Sequence, residues 1–550
     1  IAGRYLLAAN VTFQRIHRQV IKINLKSKSN NLTNGVLILL ISNIVVKIVG
    51  VMFKIPLVNI MGDDGMGYFN SAYTVYTFFY TISTAGLPVA LSILISKYEA
   101  QKRSADSSKV YGVALAFFAA LGGAFTLFMS LGSGFLGDLI GNTGASSAIL
   151  AISPVMLFVC VISARRGYFQ GRQNMLPTAL SQLVEAVGKL AFGILFSLYA
   201  VNKGYSYPII AAYAILGITA SEALCMLCLM MFRRNNASAG EVTVTKVEAL
   251  VAIVKTAFPI TVSSVVLSLT GLLDLSLVMN RLIDIGYTEE AANALFGNYT
   301  GLAVPLFNLP ASLITPIALG IVPYITAALT RNDVELGKKT VSSSLKSALI
   351  IAFPCAFGMS ALSHPILCLI FDDAQAARAC DDLSILAIGV VGVGITAVSS
   401  AILQAYGRIY LPIISVALGC VVKLVSGYFL IGELGLIGTP ISTVLSYTVT
   451  PALNLFWIYA KIGGGLKLWD GFLKPMLCSI ACAGSGYLLF EFMKSRISQS
   501  LACVLAIAFA AVVYAVLALV TRLFNEDDTK VFPGGKYIQR IIIKQRGKNE

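Results

Sequence analysis

Fourteen apolar stretches of about twenty residues or more, separated by short polar joints, leave this chain little choice of medium. They run at about 34–60, 67–96, 110–133, 146–164, 175–200, 208–232, 249–280, 292–329, 341–362, 383–406, 411–430, 436–460, 472–493 and 498–521. The composition agrees: of 550 residues, 57% are hydrophobic and 12% charged, with mean hydropathy +0.81. An all-α polytopic membrane protein of about 14 transmembrane helices is predicted. The eighth stretch carries Pro305, Pro310, Pro316 and Pro323 and is expected to be kinked or partly unwound.

The basic residues orient these helices. With the N-terminus in the cytoplasm, 30 Lys and Arg fall on that side, 5 on the other and 6 within the spans. This bias predicts that both ends are inside. Residues 1–33 form a basic lead-in whose apolar runs are too short for a secretory signal. The tail over 524–550 is basic as well, and Lys536–Glu550 can lie along the inner surface as an amphipathic segment. The net charge of +15 is thus a topology signal with some attraction to anionic lipid, and no indication of nucleic acid. Every outer loop is short; the longest, Ser363–Asp382, has room for a helical turn or two, so no soluble catalytic domain is expected. The ten cysteines sit almost all in apolar runs, and the Cys225/Cys228 pair has no second pair or histidine beside it. His17 and His364 lie apart, and no metal site is expected.

Charge inside the membrane is costly, at least ~2.5–3.5 kcal/mol per residue, and marks a bundle interior or a wet cavity. Lys47 and Lys54 share one face of the first stretch about 10 Å apart, which suggests an anionic cargo. Snorkelling to the outer surface is the rival reading for Lys54. Glu185 and Lys189 are four apart on one helix; either they pair or Lys189 faces the cargo. Asp274 and Arg281 share a face of the seventh span, as a gate or as a static arrangement. Glu222 is a candidate ion or proton site, or satisfies a buried neighbour. The rings of Tyr73, Tyr76, Phe78, Phe79 and Tyr80 suit packing better than a sugar platform.

The chain also repeats itself. An offset of 228 lays Asn70 on Asn298 and Pro88 on Pro316; an offset of 234 lays Gln170 on Gln404 and Lys189 on Lys423. Asn70, Pro88, Asn298, Pro316, Gln170 and Gln404 are read as residues that shape bent helices. Two echoes in the same order, six spans apart, predict two parallel six-helix lobes with a substrate path between them. The organisation expected is a lead-in (1–33), N-lobe (34–232), linker (233–248), C-lobe (249–461), two further helices (462–523) and tail (524–550).

The run RRGYFQGRQNMLPTALSQLVEAVGKL (Arg165–Leu190) and the opening VVKIVGVMFKIPLVNIMGDDGMGYFNSAY resemble the multidrug/oligosaccharidyl-lipid/polysaccharide exporter superfamily. Within it the likeness is to stage V sporulation protein B-like and MurJ-type lipid II flippases of Gram-positive bacteria, over residues 30–525. The resemblance implies a central cationic cavity, here Lys47, Lys54, Lys189 and Lys423, and a groove beside the last two helices for a polyprenyl tail. Lys47 takes the first basic position of that family's first helix, while Phe53-Lys54 stands where an Arg-Asp pair is usual. The function expected is a non-enzymatic flippase of the bacterial cytoplasmic membrane. It would carry a polyprenyl-pyrophosphate-linked saccharide such as lipid II by alternating access, for peptidoglycan, spore cortex or polysaccharide synthesis. No cofactor is expected. With no GxxxxGK[ST] loop in the chain, coupling to a Na+ or H+ gradient or to the membrane potential is the expected drive. Membrane lipids and cell-wall synthesis enzymes are the other partners, and a monomer is expected. The alternatives are a cation-coupled multidrug exporter of the same superfamily, a membrane saccharide polymerase or ligase, and a non-transporting scaffold.

Overall fold

A computed structural model describes residues 31–232, 242–314, 333–408, 410–463 and 468–521, with Ala318, Ile325 and Leu523. The described residues are almost wholly helical, and no strand occurs among them. Ten helices among them are long and apolar enough to cross a membrane. Two of these, Met52–Ala100 with 49 residues and Tyr410–Ile462 with 53, are long enough at ~1.5 Å per residue to cross a ~30 Å core twice. The chain divides into two compact units, Ile1–Leu275 and Ser276–Glu550.

In the first unit, α1 (Asn31–Thr84) is broken at Gly62, whose φ of 66° and ψ of −171° only glycine adopts easily. The first expected span and the greater part of the second are therefore the two arms of one broken helix. After a second break at Ala85–Gly86, α2 (Leu87–Ala100) begins with Pro88 in its first turn, where a missing N–H costs nothing. There follow α3 (Ser104–Leu131), the short α4 (Ser133–Leu139) and α5 (Ser146–Ile152), then α6 (Val155–Gly171), α7 (Leu176–Asn202) and α8 (Tyr207–Met231). α9 (Lys246–Asp284) starts in the first unit and ends in the second.

Close backbone approach positions these helices. A Cβ on Gly217 of α8 would meet the Gly193 amide of α7 at 2.4 Å, and one on Gly193 would meet the Phe53 ring of α1 at 2.6 Å. Ser221 Oγ donates to Glu185 O at 2.7 Å and Cys225 Sγ to Ser181 O at 3.3 Å. The pairs 193–217, 185–221 and 181–225 run in opposite senses, so α7 and α8 are antiparallel and joined by small residues, as membrane helices commonly are. Ser42 Oγ donates to Ala179 O at 3.1 Å, fastening the first arm of α1 to α7. A second core joins α2, α3, α6 and the start of α9 through Leu91, Tyr111, Phe118, Tyr168 and Ile253. Asp106, buried in the first turn of α3, accepts hydrogen bonds from the backbone N–H of Thr243 and Val244 at 2.8 and 2.9 Å and from Arg103 Nε at 2.8 Å. The residues entering α9 are thereby tied to α3, a join the sequence does not announce.

The second unit repeats the plan. α10 (Glu289–Asn298) runs through a π-helical turn at Tyr299–Ala303 into a helix over 304–314. The wide turn ends two residues before Pro305, whose ring cannot fit against the carbonyl four residues back in a regular helix. Pro316 and Pro323 lie outside the described residues. Then come α11 (Val334–Ala361), the short α12 (Ser363–Cys368), α13 (Asp373–Ala405), α14 (Tyr410–Leu434), α15 (Gly438–Ile462), α16 (Lys474–Met493) and α17 (Gln499–Val520). α3 and α11 are both 28 residues long at an offset of 230; α8 and α15 are both 25 residues long at an offset of 231. α7 and α14 begin 234 residues apart. The end of α6 matches the end of α13 bond for bond: Gln173 N–H donates to Gln170 O and Asn174 N–H to Phe169 O, as Gly407 N–H does to Gln404 O and Arg408 N–H to Leu403 O. Each is a Schellman cap closed by a left-handed residue, Gln173 (φ 59°) and Gly407 (φ 73°).

Candidate functional site

The first unit gathers four charges, two of each sign, among α6, α7 and α8, with Glu222 buried and the others half-buried. Glu185 of α7 bridges two cations: Oε1 accepts from Lys189 Nζ at 2.7 Å, and Oε2 accepts from Arg166 Nη2 at 2.9 Å. Lys189 Nζ also lies 2.9 Å from Glu222 Oε1 of α8, a charge contact off the hydrogen-bond axis. Arg166 Nε donates to Ser181 Oγ at 3.0 Å. Glu222 is 1% exposed, while Lys189 keeps 19% of its side chain accessible. Removing one partner from such a set costs about 3–5 kcal/mol, because it strands the charge left behind.

α1 covers this set with an aromatic ladder. Phe69 and Tyr73 stack at 5.9 Å, Tyr73 and Tyr76 are 5.4 Å apart, and Tyr76 and Tyr80 are 5.3 Å apart. Tyr76 and Tyr80 are within coulombic reach of Glu222 and Lys189. Tyr76 is buried, whereas Tyr73 is 38% exposed, so the ladder runs from the charged set to an accessible edge. Phe79 turns the other way and packs on Phe125 and Phe128 of α3.

The remaining residues singled out in the sequence are spread through the fold. Lys54 is half-buried on the first arm of α1, seven residues after Lys47. Asp274 is half-buried on α9; Arg281 of the same helix donates from Nε to Tyr428 O at 3.2 Å, covers the Tyr428 ring and lies 3.5 Å from Asp284. Lys423 is half-buried on α14. Asn70 and Asn298 are both buried, and Nδ2 of the first and Oδ1 of the second find no hydrogen-bond partner among the described residues. Pro88 presses against Gly167 of α6. Gln170 and Gln404 shape their helices through their carbonyls, which close the two matched caps.

Arg166 is the residue that sequence reasoning missed. Counted as a basic joint, it is part of α6, which runs on to Gly171. In the Arg165–Arg166 doublet the side chains point about 100° apart. One reaches the Phe232 carbonyl at 3.4 Å and the other faces α7. The doublet was the available signal. Glu185, Glu222 and Cys225 bring ligand atoms within 4.8 Å of one another. Both carboxylates there already face cations, Lys189 and Arg166.

Comparison with known proteins follows the same outline. The model of the polysaccharide biosynthesis protein family matches residues 32–329, and the MatE model matches 299–429. Lipid II flippase MurJ of Bacillus subtilis (strain 168) is 25% identical over 511 residues, 88% of this chain and 94% of that protein. Stage V sporulation protein B of the same strain is 22% identical over 93% of this chain and 98% of that protein. Among solved structures, lipid II flippase MurJ in an inward closed conformation superposes with a TM-score of 0.70 at 15% identity, over 88% of this chain and 99% of that one. An inward-facing multidrug resistance MATE family transporter reaches 0.60 at 18% identity, over 76% and 98%. Of these, MurJ is a flippase and the MATE protein a transporter, and neither is a catalytic enzyme. The chain is a multi-pass cytoplasmic membrane protein that belongs to the polysaccharide biosynthesis protein family, within the multidrug/oligosaccharidyl-lipid/polysaccharide exporter superfamily of transporters.

Proposed function

We propose that this protein flips a polyprenyl-pyrophosphate-linked saccharide, of the lipid II class, across the cytoplasmic membrane by alternating access. Fourteen crossings with both ends inside, lobes at 34–232 and 249–461, and a tail groove beside 462–523 belong to this reading. The observation that carries it is the balance of charge in the first unit. By sequence, Lys47, Lys54, Lys189, Lys255 and Arg166 outnumber Glu185, Glu222 and Asp274 in the apolar parts of its helices, and Glu185 and Glu222 pair with Lys189 and Arg166. Lys47 and Lys54 stand seven residues apart on the first arm of α1, basic groups at membrane depth of the kind a diphosphate headgroup needs while its tail stays in lipid. Lysines hold such a group as point charges, without the bidentate fork of arginine, which suits a cargo that must be released.

The test is reconstitution in proteoliposomes with a defined polyprenyl-diphosphate saccharide, scored by the fraction accessible from each side. Wild-type protein equilibrates the headgroup across the bilayer, and Lys47→Glu abolishes this while still inserting. Undiminished transport by Lys47→Glu would overturn the cationic-path reading. A cation-coupled multidrug exporter is the second reading, favoured by Glu222, a deeply buried carboxylate that Lys189 meets off axis. Drug-driven cation flux without any headgroup transfer would select it.

A further inference from the structure

The ends of α2 and α6, expected to face the cytoplasm, enclose a cavity of about 530 Å³ whose lining includes none of Lys47, Lys54, Lys189 and Lys423. Its size falls within the range of small-ligand sites, about 300–1,000 Å³. Close packing fixes its walls. A Cβ on Gly171 would meet Ile95 Cβ at 2.7 Å and Ser92 O at 2.8 Å, so α6 lies directly on α2. Ser96 Oγ donates to Gly171 O at 2.7 Å across the same contact.

Arg172, in the lining, is held along one edge only. Its Nε and Nη2 both donate to Glu99 Oε1, at 2.9 and 2.8 Å, and its guanidinium carbon lies 5.2 Å from the centre of the Tyr168 ring. Nη1 makes no hydrogen bond among the described residues, so the other edge of the fork, Nη1 with Nη2, is positioned and unspent. Gln173 and Asn174 line the cavity next to it, both exposed, and neither side-chain amide is hydrogen-bonded among the described residues. The backbone N–H groups of residues 172–174 are spent on the cap of α6, which leaves side chains as the donors for a ligand. Gln173 keeps its place at a left-handed φ of 59°, where the matching residue of the second unit is glycine.

A guanidinium clamped on one edge and open on the other, flanked by two amides, is a donor set for an oxyanion. Glu99 balances one charge, but Lys97 and Lys102 are exposed at the same end of α2 and keep the surrounding field positive. We propose that Arg172, Gln173 and Asn174 form a binding site for a phosphate or diphosphate group at this end of the first unit. Arg172 holds two oxygens through Nη1 and Nη2 while Glu99 keeps the fork in place, and the amides take the remaining oxygens. A lipid-borne group and a free one offer the same oxygens, and the test separates them. The site does not depend on the flippase reading.

The full chain carrying Lys47→Glu, which removes the contribution of the cationic path, is titrated in detergent with radiolabelled pyrophosphate at constant ionic strength. Bound label is expected to saturate. Adding Arg172→Lys, which keeps a charge facing Glu99 but not the fork, weakens binding by about tenfold or more. Adding Glu99→Gln, which removes a carboxylate beside the anion but leaves Arg172 an acceptor, tightens it several-fold. Size-exclusion profile and melting temperature of each variant check the fold. Unlabelled farnesyl diphosphate that displaces the label at lower concentration than unlabelled pyrophosphate assigns the site to a lipid-borne group; equal or weaker displacement assigns it to a soluble one. No label retained at millimolar pyrophosphate, or unchanged affinity on adding Arg172→Lys, would overturn the assignment and leave the cationic path untouched.

Discussion

The helices α6–α7–α8 and α13–α14–α15 occupy matching places in the two units, yet they treat their polar interior in opposite ways. In the first unit Arg166, Glu185, Lys189 and Glu222 gather four charges. In the second, the position of Arg166 falls on Ser400 and that of Glu185 on Gly419 at the offset of 234. There Asn454 Nδ2 of α15 donates to Ser399 Oγ at 3.0 Å and Ser400 Oγ at 3.1 Å on α13. Only Lys423, opposite Lys189, keeps its charge. The shared backbone thus does not require the ion set. A neutral amide and two hydroxyls join α15 to α13 with a far smaller desolvation cost than ion pairs carry, which points to a role for the charges beyond holding helices together.

The sharpest way to break this comparison is to neutralise one charge at a time. Lys189→Met strands Glu185 and Glu222 and is expected to destabilise the protein by about 3–5 kcal/mol. Adding Glu222→Gln to Lys189→Met recovers a large part of that loss, because Arg166 still balances Glu185. Thermal unfolding in detergent, followed by the fraction that stays monodisperse, measures both. If the double variant is no more stable than the single one, the charges are not a balanced set and the contrast between the units fails.

Glycine packing varies within both regions, and two single positions can be compared. Gly217→Ala drives a methyl to 2.4 Å from the Gly193 amide, backbone against backbone, and is expected to cost about 1–3 kcal/mol. In the antiparallel pair α14–α15, a Cβ on Gly427 meets the flexible end of Leu277 at 3.2 Å and Ser442 Oγ at 3.4 Å. Gly427→Ala is expected to be neutral or stabilising, since alanine favours the helix over glycine by up to about 1 kcal/mol. The same melting assay compares them, and equal losses would mean that the backbone approach at Gly217 is not tighter than the side-chain contact at Gly427.

Much of this fold is legible in the residues. Apolar runs gave the helices, and the echoes of Gln170 in Gln404 and Lys189 in Lys423 gave the offset at which α7 and α14 begin. The breaks were harder to read. Gly62 is one of 47 glycines, and only its left-handed φ, not its identity, bends α1. The charged set was half legible: the spacing of four between Glu185 and Lys189 left pairing open, but nothing local reports that Arg166 and Glu222 close on them from other helices. Helical periodicity speaks for one helix at a time, and this cluster is made between helices.

The finest test lies in the two matched caps. Gln173 and Gly407 occupy the same left-handed position, closing the same pair of hydrogen bonds, but only one of them is glycine. A side chain in that region crowds its own backbone and costs about 1 kcal/mol relative to glycine. A Cβ at Gly407 meets nothing within 4 Å, so Gly407→Gln tests the conformation alone and is expected to destabilise by about that amount. Gln173→Gly is expected to gain up to a similar amount, less what glycine adds to the freedom of the unfolded chain. Opposite shifts in melting temperature would establish that the two units share a backbone whose strain falls on the first. Gln173 lines a cavity of about 530 Å³ with Glu99, Arg172 and Asn174, so its amide stands at an accessible polar edge where a glycine would present nothing. A loss on Gln173→Gly in place of the gain would show that this side chain contributes more through its contacts than its backbone costs.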